Sequence, residues 1–142
     1  MRPLLLDVNV LIGLIDPTHE HHDAAHTWFF AEPERHWLTC PTTENGVIRI
    51  VAHPRYSNTQ PVWMAMESLQ SLTDLADHER VAENTTLIGN NVDRRALLSS
   101  SQVTDTYLAL LALEHGAQLA TFDRHLSLSA LPDDVSVLQI PN

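Results

Sequence analysis

The sequence predicts an α/β protein in which helices cover a central, mainly parallel sheet of four or five strands. Three observations carry that expectation. Short apolar runs of strand length, such as Leu4-Leu5-Leu6 and Leu119-Ala120-Thr121-Phe122, recur along the chain. Between them lie longer stretches with apolar residues at helical spacing, and such alternation marks an α/β sandwich. A chain of 142 residues suits one domain over residues 1–142, because at this size about two thirds of the unfolded surface can be buried in one core.

Taken in order, residues 3–7 read as a strand and residues 8–15 as a short helix stopped by Asp16-Pro17. Residues 20–31 suit an amphipathic helix ending near Pro33, and Trp37-Leu38-Thr39-Cys40 reads as a second strand. Pro41-Thr42-Thr43 opens a helix running to about Ala52, with proline in the first turn and threonine as the expected cap. The prolines and turn residues of "HPRYSNTQP" (53–61) predict a loop, and helical spacing returns over 62–73. A short strand is expected at 78–82 and one or two helical turns within 84–98, a segment interrupted by Gly89-Asn90-Asn91. The last third predicts a helix at 103–115 ending at Gly116, a strand at 118–122 and a final strand at 135–140.

Composition narrows the chemistry. Hydrophobic residues make up 44% and charged residues 18% of the chain, a globular balance, and no apolar stretch approaches the ~20 residues that span a bilayer. Met1-Arg2 leads directly into the first apolar run without a signal-peptide pattern, so a cytoplasmic location is expected. Cys40 is the single cysteine and cannot close an internal disulfide. All eight basic residues are arginine, against eighteen acids. The absence of lysine removes P-loop and Schiff-base chemistry. A net charge of -10 argues against a binder that holds nucleic acid by charge alone, so any such role rests on metal ions and a few arginines.

Four acids stand where ligands are expected. Asp7 and Asp123 each follow an apolar strand, and if those strands are parallel neighbours both side chains emerge at the carboxyl edge of the sheet. Alone, each is explained as well by capping or a turn. Glu44 shares a stripe with Val47, Ile48 and Val51, and Asp105 with Leu108, Ala109 and Ala112. The helix macrodipole accounts for acids near helix starts, at roughly 0.3–1 kcal/mol, but not for their facing an apolar side. Converging carboxylates repel one another and need cations; hard ions such as Mg²⁺ or Mn²⁺ suit oxygen ligands. One or two such ions would form a site for phosphodiester hydrolysis by lowering the pKa of a bound water and stabilising developing charge.

In these residues the chain resembles the PIN-domain ribonucleases, specifically the VapC-type toxins of toxin–antitoxin pairs. The carriers are "LLLDVNVLIGLID", "PTTENGVIRIV", "HPRY", "SQVTDTYLALLALEHGAQLATFD" and the closing "VSVLQI", in that order over nearly the whole chain, with a departure from the common pattern around 77–100. The resemblance implies a PIN-like α/β/α sandwich in which Asp7, Glu44, Asp105 and Asp123 hold one or two Mg²⁺ or Mn²⁺ ions, Asp7 and Asp105 most directly. Asn9 and Thr121 match positions that orient the cluster. It further implies cleavage of RNA, often transfer RNA, to a 5′-phosphate and a 3′-hydroxyl. A small antitoxin with a basic segment is the implied partner, and a homodimer the implied assembly; acidity suits that antitoxin.

Arg124, beside Asp123, and Arg55, within "HPRY", are candidate phosphate contacts, since the guanidinium fork matches phosphate oxygens. His19, His22 and His26 have a spacing compatible with a zinc ligand set, but no cysteine completes it, and a solvated or partner-facing surface is the preferred reading. Trp28, Trp37 and Trp63 could stack on bases, although in amphipathic segments core positions are the commoner use. Two other functions compete: a non-catalytic interaction module with the same fold, and a phosphatase with Asp7 as nucleophile. The second suffers from Asn9 standing where a catalytic acid is expected and from the missing lysine.

Overall fold

The computed structural model describes residues 2–96 and 99–142. Five strands form one sheet: β1 (Leu4–Leu6), β2 (Trp37–Thr39), β3 (His78–Arg80), β4 (Gln118–Thr121) and β5 (Val137–Gln139). Their order is β3-β2-β1-β4-β5 and every pairing is parallel, with Leu5 opposite Leu38 on one side and Leu119 on the other. The mainly parallel sheet of the sequence reading is therefore fully parallel. Such a sheet must be covered on both faces, and the helices α1 (Val8–Ile15), α2 (His22–Phe30), α3 (Pro41–Val51), α4 (Val62–Thr73) and α5 (Val103–Glu114) provide that cover.

Side-chain alternation along the strands divides the core in two. Leu4, Leu6, Trp37 and Ala120 face the layer formed by α1 to α4, where they meet Val10, Phe29, Val47 and Leu69. Leu5, Leu38 and Leu119 face the opposite side, packed on Leu108, Leu111 and Ala112 of α5 and on Leu131 and Val135 of the approach to β5. Leu5 is completely buried on the central strand, worth roughly 1.5–3 kcal/mol by transfer alone. The edge strand β3 (His-Glu-Arg) is polar, which discourages further edge pairing.

Most boundaries agree with the sequence reading to within two residues, and the differences have local causes. The cap of α3 is Cys40, not a threonine: Thr43, at the third helical position, accepts from the Cys40 backbone N–H at 3.0 Å and donates to its carbonyl at 2.9 Å. β5 is shorter than 135–140 because it pairs only against β4. Of the helical turns expected within 84–98, the described part holds one 3₁₀ turn at Arg94–Ala96; Leu97 and Leu98 lie outside the described residues. Gly116 does end α5, in the left-handed conformation at φ 64°. Among the described residues no helix is long and apolar enough to cross a membrane.

Among the described residues His19, His22 and His26 do not gather as a metal-ligand set. His22 Nδ1 lies 2.7 Å from the Gly13 carbonyl and His26 Nε2 lies 2.9 Å from that of Leu14, so α2 satisfies the open carbonyls at the end of α1. Of the tryptophans, Trp37 is core, Trp28 is half-buried under the Arg35 guanidinium at 4.3 Å, and Trp63 is exposed on α4.

The loop after α3 is anchored by Asp16 at the end of α1. Asp16 accepts from the Tyr56 hydroxyl, from Asn58 Nδ2 at 2.8 Å and from the Thr18 backbone N–H and hydroxyl at 2.9 Å each. Burial alone would raise its carboxyl; the four donors outweigh it and hold the group at about 2. Tyr56→Phe removes one bond to a charged acceptor and is expected to cost about 1–2 kcal/mol, read from the midpoint of urea unfolding.

Candidate active site

The strand order reverses beside β1: the chain moves from β1 outward to β2 and β3, then crosses to β4 and β5 on the other side. The carboxyl ends of β1 and β4 flank that switch point, where open parallel sheets place their ligands. Asp7 follows β1 directly and Asp123 lies two residues after β4.

Asp7 is 4% exposed and serves as the N-cap of α1. One carboxylate oxygen accepts from the Val8 backbone N–H at 2.7 Å and the other from the Thr121 hydroxyl at 2.7 Å. Thr121 in turn accepts from Asn9 Nδ2 at 3.3 Å and from the Asp123 backbone N–H at 3.0 Å. The hydroxyl of Thr121 therefore links both acids and Asn9. Asn9 is committed to this network, its side-chain oxygen facing the Phe122 N–H at 3.4 Å, and as an amide it has no proton to give as a phosphatase acid. Asp123 accepts from the His125 N–H at 2.8 Å, a turn that sets the direction of its carboxylate.

Asp105, in the first turn of α5, reaches the same place from the other layer. Its pKa is pushed up to about 7, first by burial, then by repulsion from Asp7 and Asp123, and by the hydrogen-bonding proximity of Asp123. Burial also raises Asp7, against its bonds from Thr121 and Val8 and with added repulsion from Asp123. Three acids thus share uncompensated negative charge.

Glu44 does not join them. Its carboxylate is paired with Arg80 Nε at 2.8 and 2.9 Å and accepts from the Thr39 hydroxyl at 2.7 Å, so an arginine from β3, not a shared cation, neutralises it. It lines a depression with Ile48, Met66 and Leu69 toward α4. The expected convergence of four acids is a convergence of three. Arg124 and Arg55 are both exposed, and neither side chain is engaged among the described residues.

Sequence reasoning missed the wall of the site. A cleft of about 520 Å³ beside Asp7 and Asp105 is lined by Thr42, Asn45, Gly46 and Arg49 of α3 and by Thr104 of α5. The spacing 42, 45, 46, 49 is one helix face, flanking the buried stripe Thr43, Val47, Val51, and this is the signal that could have found it. A Cβ on Gly46 would stand 3.0 Å from a Val8 methyl, so glycine permits the close approach of α3 to α1. Glu83 ties the cleft's two walls: its carboxylate accepts from the Thr42 N–H at 2.9 Å, the Thr42 hydroxyl at 2.7 Å and the Tyr107 hydroxyl of α5.

Asp7, Asp105 and Asp123 offer only oxygen donors, the chemistry of a hard divalent cation. Among the described residues no three histidine, cysteine, aspartate or glutamate side chains close around one point. Mg²⁺ keeps several waters and takes only one or two carboxylates directly, so it does not require three to close around it.

The raised acids predict how the metal-free protein responds to pH. Asp105 binds its proton more tightly folded, near 7, than at its ordinary 3.8, so its contribution is full below about pH 4 and is lost as pH rises through 7. In EDTA, Asp105→Asn is expected to remove about 1–2 kcal/mol, after solvent screening, of the stability lost between pH 5 and 8, seen as a smaller fall in melting temperature. Parallel wild-type and variant melts across that range would count against the shared charge.

Residues 4–130 match the PIN domain family. Ribonuclease VapC44 of Mycobacterium tuberculosis is 39% identical over 129 residues, covering 90% of this chain and 91% of that protein. Ribonuclease VapC39 of the same organism is 41% identical over 137 residues, 94% of this chain and 98% of that protein. Ribonuclease VapC38 is 34% identical over 120 residues, 84% of each. With acids converging at the switch point of a five-stranded parallel sheet and likeness along nearly its full length, the chain belongs to the PIN-domain family, among its VapC-type members.

Proposed function

We propose that the chain is a metal-dependent endoribonuclease, the toxin half of a toxin–antitoxin pair. The observation that carries this reading is the shared, uncompensated charge of Asp7, Asp105 and Asp123 beside an open cleft, in a chain whose relatives are named ribonucleases. Asp7 and Asp105 would hold Mg²⁺ or Mn²⁺, with Asp123 beside them. When bound, such an ion supplies Lewis-acid polarisation of the phosphodiester and lowers the pKa of the attacking water.

The protein's own contribution is positional. The Thr121 hydroxyl and the Val8 N–H each bind one Asp7 oxygen, fixing the carboxylate while leaving each oxygen a further lone pair. Asn9 holds Thr121, and Glu83 holds the two walls of the cleft at a set separation. No observation in the cleft favours the non-catalytic module, which would gain nothing from carboxylates that repel one another.

An antitoxin and a second copy of the chain are the proposed associations, in a cytoplasmic setting. The exposed apolar side chains Val62, Trp63 and Met66 of α4 are surface that association would cover.

Purified protein incubated with bulk bacterial transfer RNA is expected to cleave it with Mg²⁺ or Mn²⁺ and to stop in EDTA. Asp7→Asn and Asp105→Asn are each expected to lower the rate by about a hundredfold or more. Glu44→Gln should cost less than either, because Arg80 already neutralises that carboxylate. Undiminished cleavage by both aspartate variants would sink the reading.

A further inference from the structure

Resting on the nuclease reading, the geometry points to a specific path for the substrate strand: we propose that Arg49, with Asn45 one turn earlier on α3, holds the phosphate next to the one that is cleaved.

The acid cluster lies between two depressions. The larger is the α3-lined cleft that contains Asp7 and Asp105. The smaller, about 280 Å³, contains Asp105 and Asp123 together with Ser101, Ser127 and His125. Asp105 borders both, so a strand that lays one phosphate over the acids continues into the α3 cleft on one side and the hydroxyl-lined hollow on the other. Only the first offers a full positive charge: among the described residues lining the two depressions, Arg49 is the one arginine.

Its freedom is the second observation. In this lysine-free chain, four of the eight guanidinium groups are already engaged. Arg2 donates to the Ala117 carbonyl, Arg35 lies over Trp28, Arg80 is paired with Glu44 and Arg94 donates to the Ile88 carbonyl. Arg49 is exposed and makes no hydrogen bond or ion pair among the described residues, although acids line the same cleft. A cation in the last turn of α3 also suits the helix macrodipole, but that accounts for its place along the axis and not for its face.

The face is set by spacing. Thr42, Asn45 and Arg49 stand at intervals of three and four, with Gly46 between them packed close against Val8 of α1. Residues one turn apart, such as Asn45 and Arg49, have Cβ atoms about 5–6 Å from each other, close enough for both side chains to reach one phosphate. The amide can donate to one phosphate oxygen while the guanidinium fork takes two more. A strand so held is anchored by charge on the α3 side only, which gives it a fixed direction across the acids.

The test is steady-state cleavage of bulk bacterial transfer RNA with Mg²⁺ across a salt series, for wild type, Arg49→Gln, Arg49→Lys and Arg2→Gln. The last removes an equal charge at the opposite, amino edge of the sheet, where Arg2 meets the Ala117 carbonyl. Arg49→Gln is expected to raise KM about five- to tenfold with kcat within about twofold, and to make the dependence of log kcat/KM on log salt shallower by about 0.7. Arg49→Lys should restore the salt dependence but only part of the KM, since an ammonium keeps the charge and lacks the fork, and Arg2→Gln should match wild type. An Arg49→Gln enzyme with wild-type KM and salt dependence, or an Arg2→Gln enzyme with the same defect, would overturn the assignment while leaving the nuclease reading intact. RNA left whole by the wild-type protein would overturn both.

Discussion

Repulsion among three carboxylates at the carboxyl edge of the sheet is the constraint around which the site is built. Asp7 is almost fully enclosed, and an unpaired charge there would cost several kcal/mol. Two donors, the Thr121 hydroxyl and the Val8 N–H, hold it in place. They do not remove the repulsion, which remains visible in the raised proton affinity of Asp105. The topology that sets β2 and β4 on opposite sides of β1 opens a crevice at that edge.

The chain handles its partly enclosed acids in three different ways, and the contrast separates structure from chemistry. Asp16 is surrounded by hydroxyl, amide and backbone donors, which hold its pKa low and pin the loop after α3. Glu44 is neutralised by Arg80. Glu83 is satisfied by Thr42 and Tyr107 and joins α3 to α5. Only Asp7, Asp105 and Asp123 are left facing one another. Among these partly enclosed acids, charge is compensated except at one edge of the sheet.

Much of the fold was legible because its local rules agree with its global ones. The apolar runs that became β1 and β4 are short, flanked by helical periodicity, and end on the polar residues that the strand ends require. Helix α1 and helix α4 fall on their predicted bounds because Pro17 and the proline-rich loop before Val62 leave few alternatives. The segment 84–98 was the least legible, since Gly89-Asn90-Asn91 breaks the period and the backbone there is held by contacts such as Asp93 N–H to the Ala130 carbonyl, distant in sequence.

For the site, local pattern in the sequence by itself placed the acids that end strands, because strand ends and first helical turns are set locally; Asn9 and Thr121 were marked only by the family resemblance, and the fold joins them to Asp7. The sequence did not determine which acids meet. Glu44 carries the same helical signature as Asp105, yet the register of β3 against β2 places Arg80 beside it, and no local rule contains that pairing. The cleft of Thr42, Asn45 and Arg49 was likewise decided only when α3 settled against α1 through Gly46. Charge partners and cleft walls depend on distances between segments remote in the chain, and those distances exist only once the layers are packed.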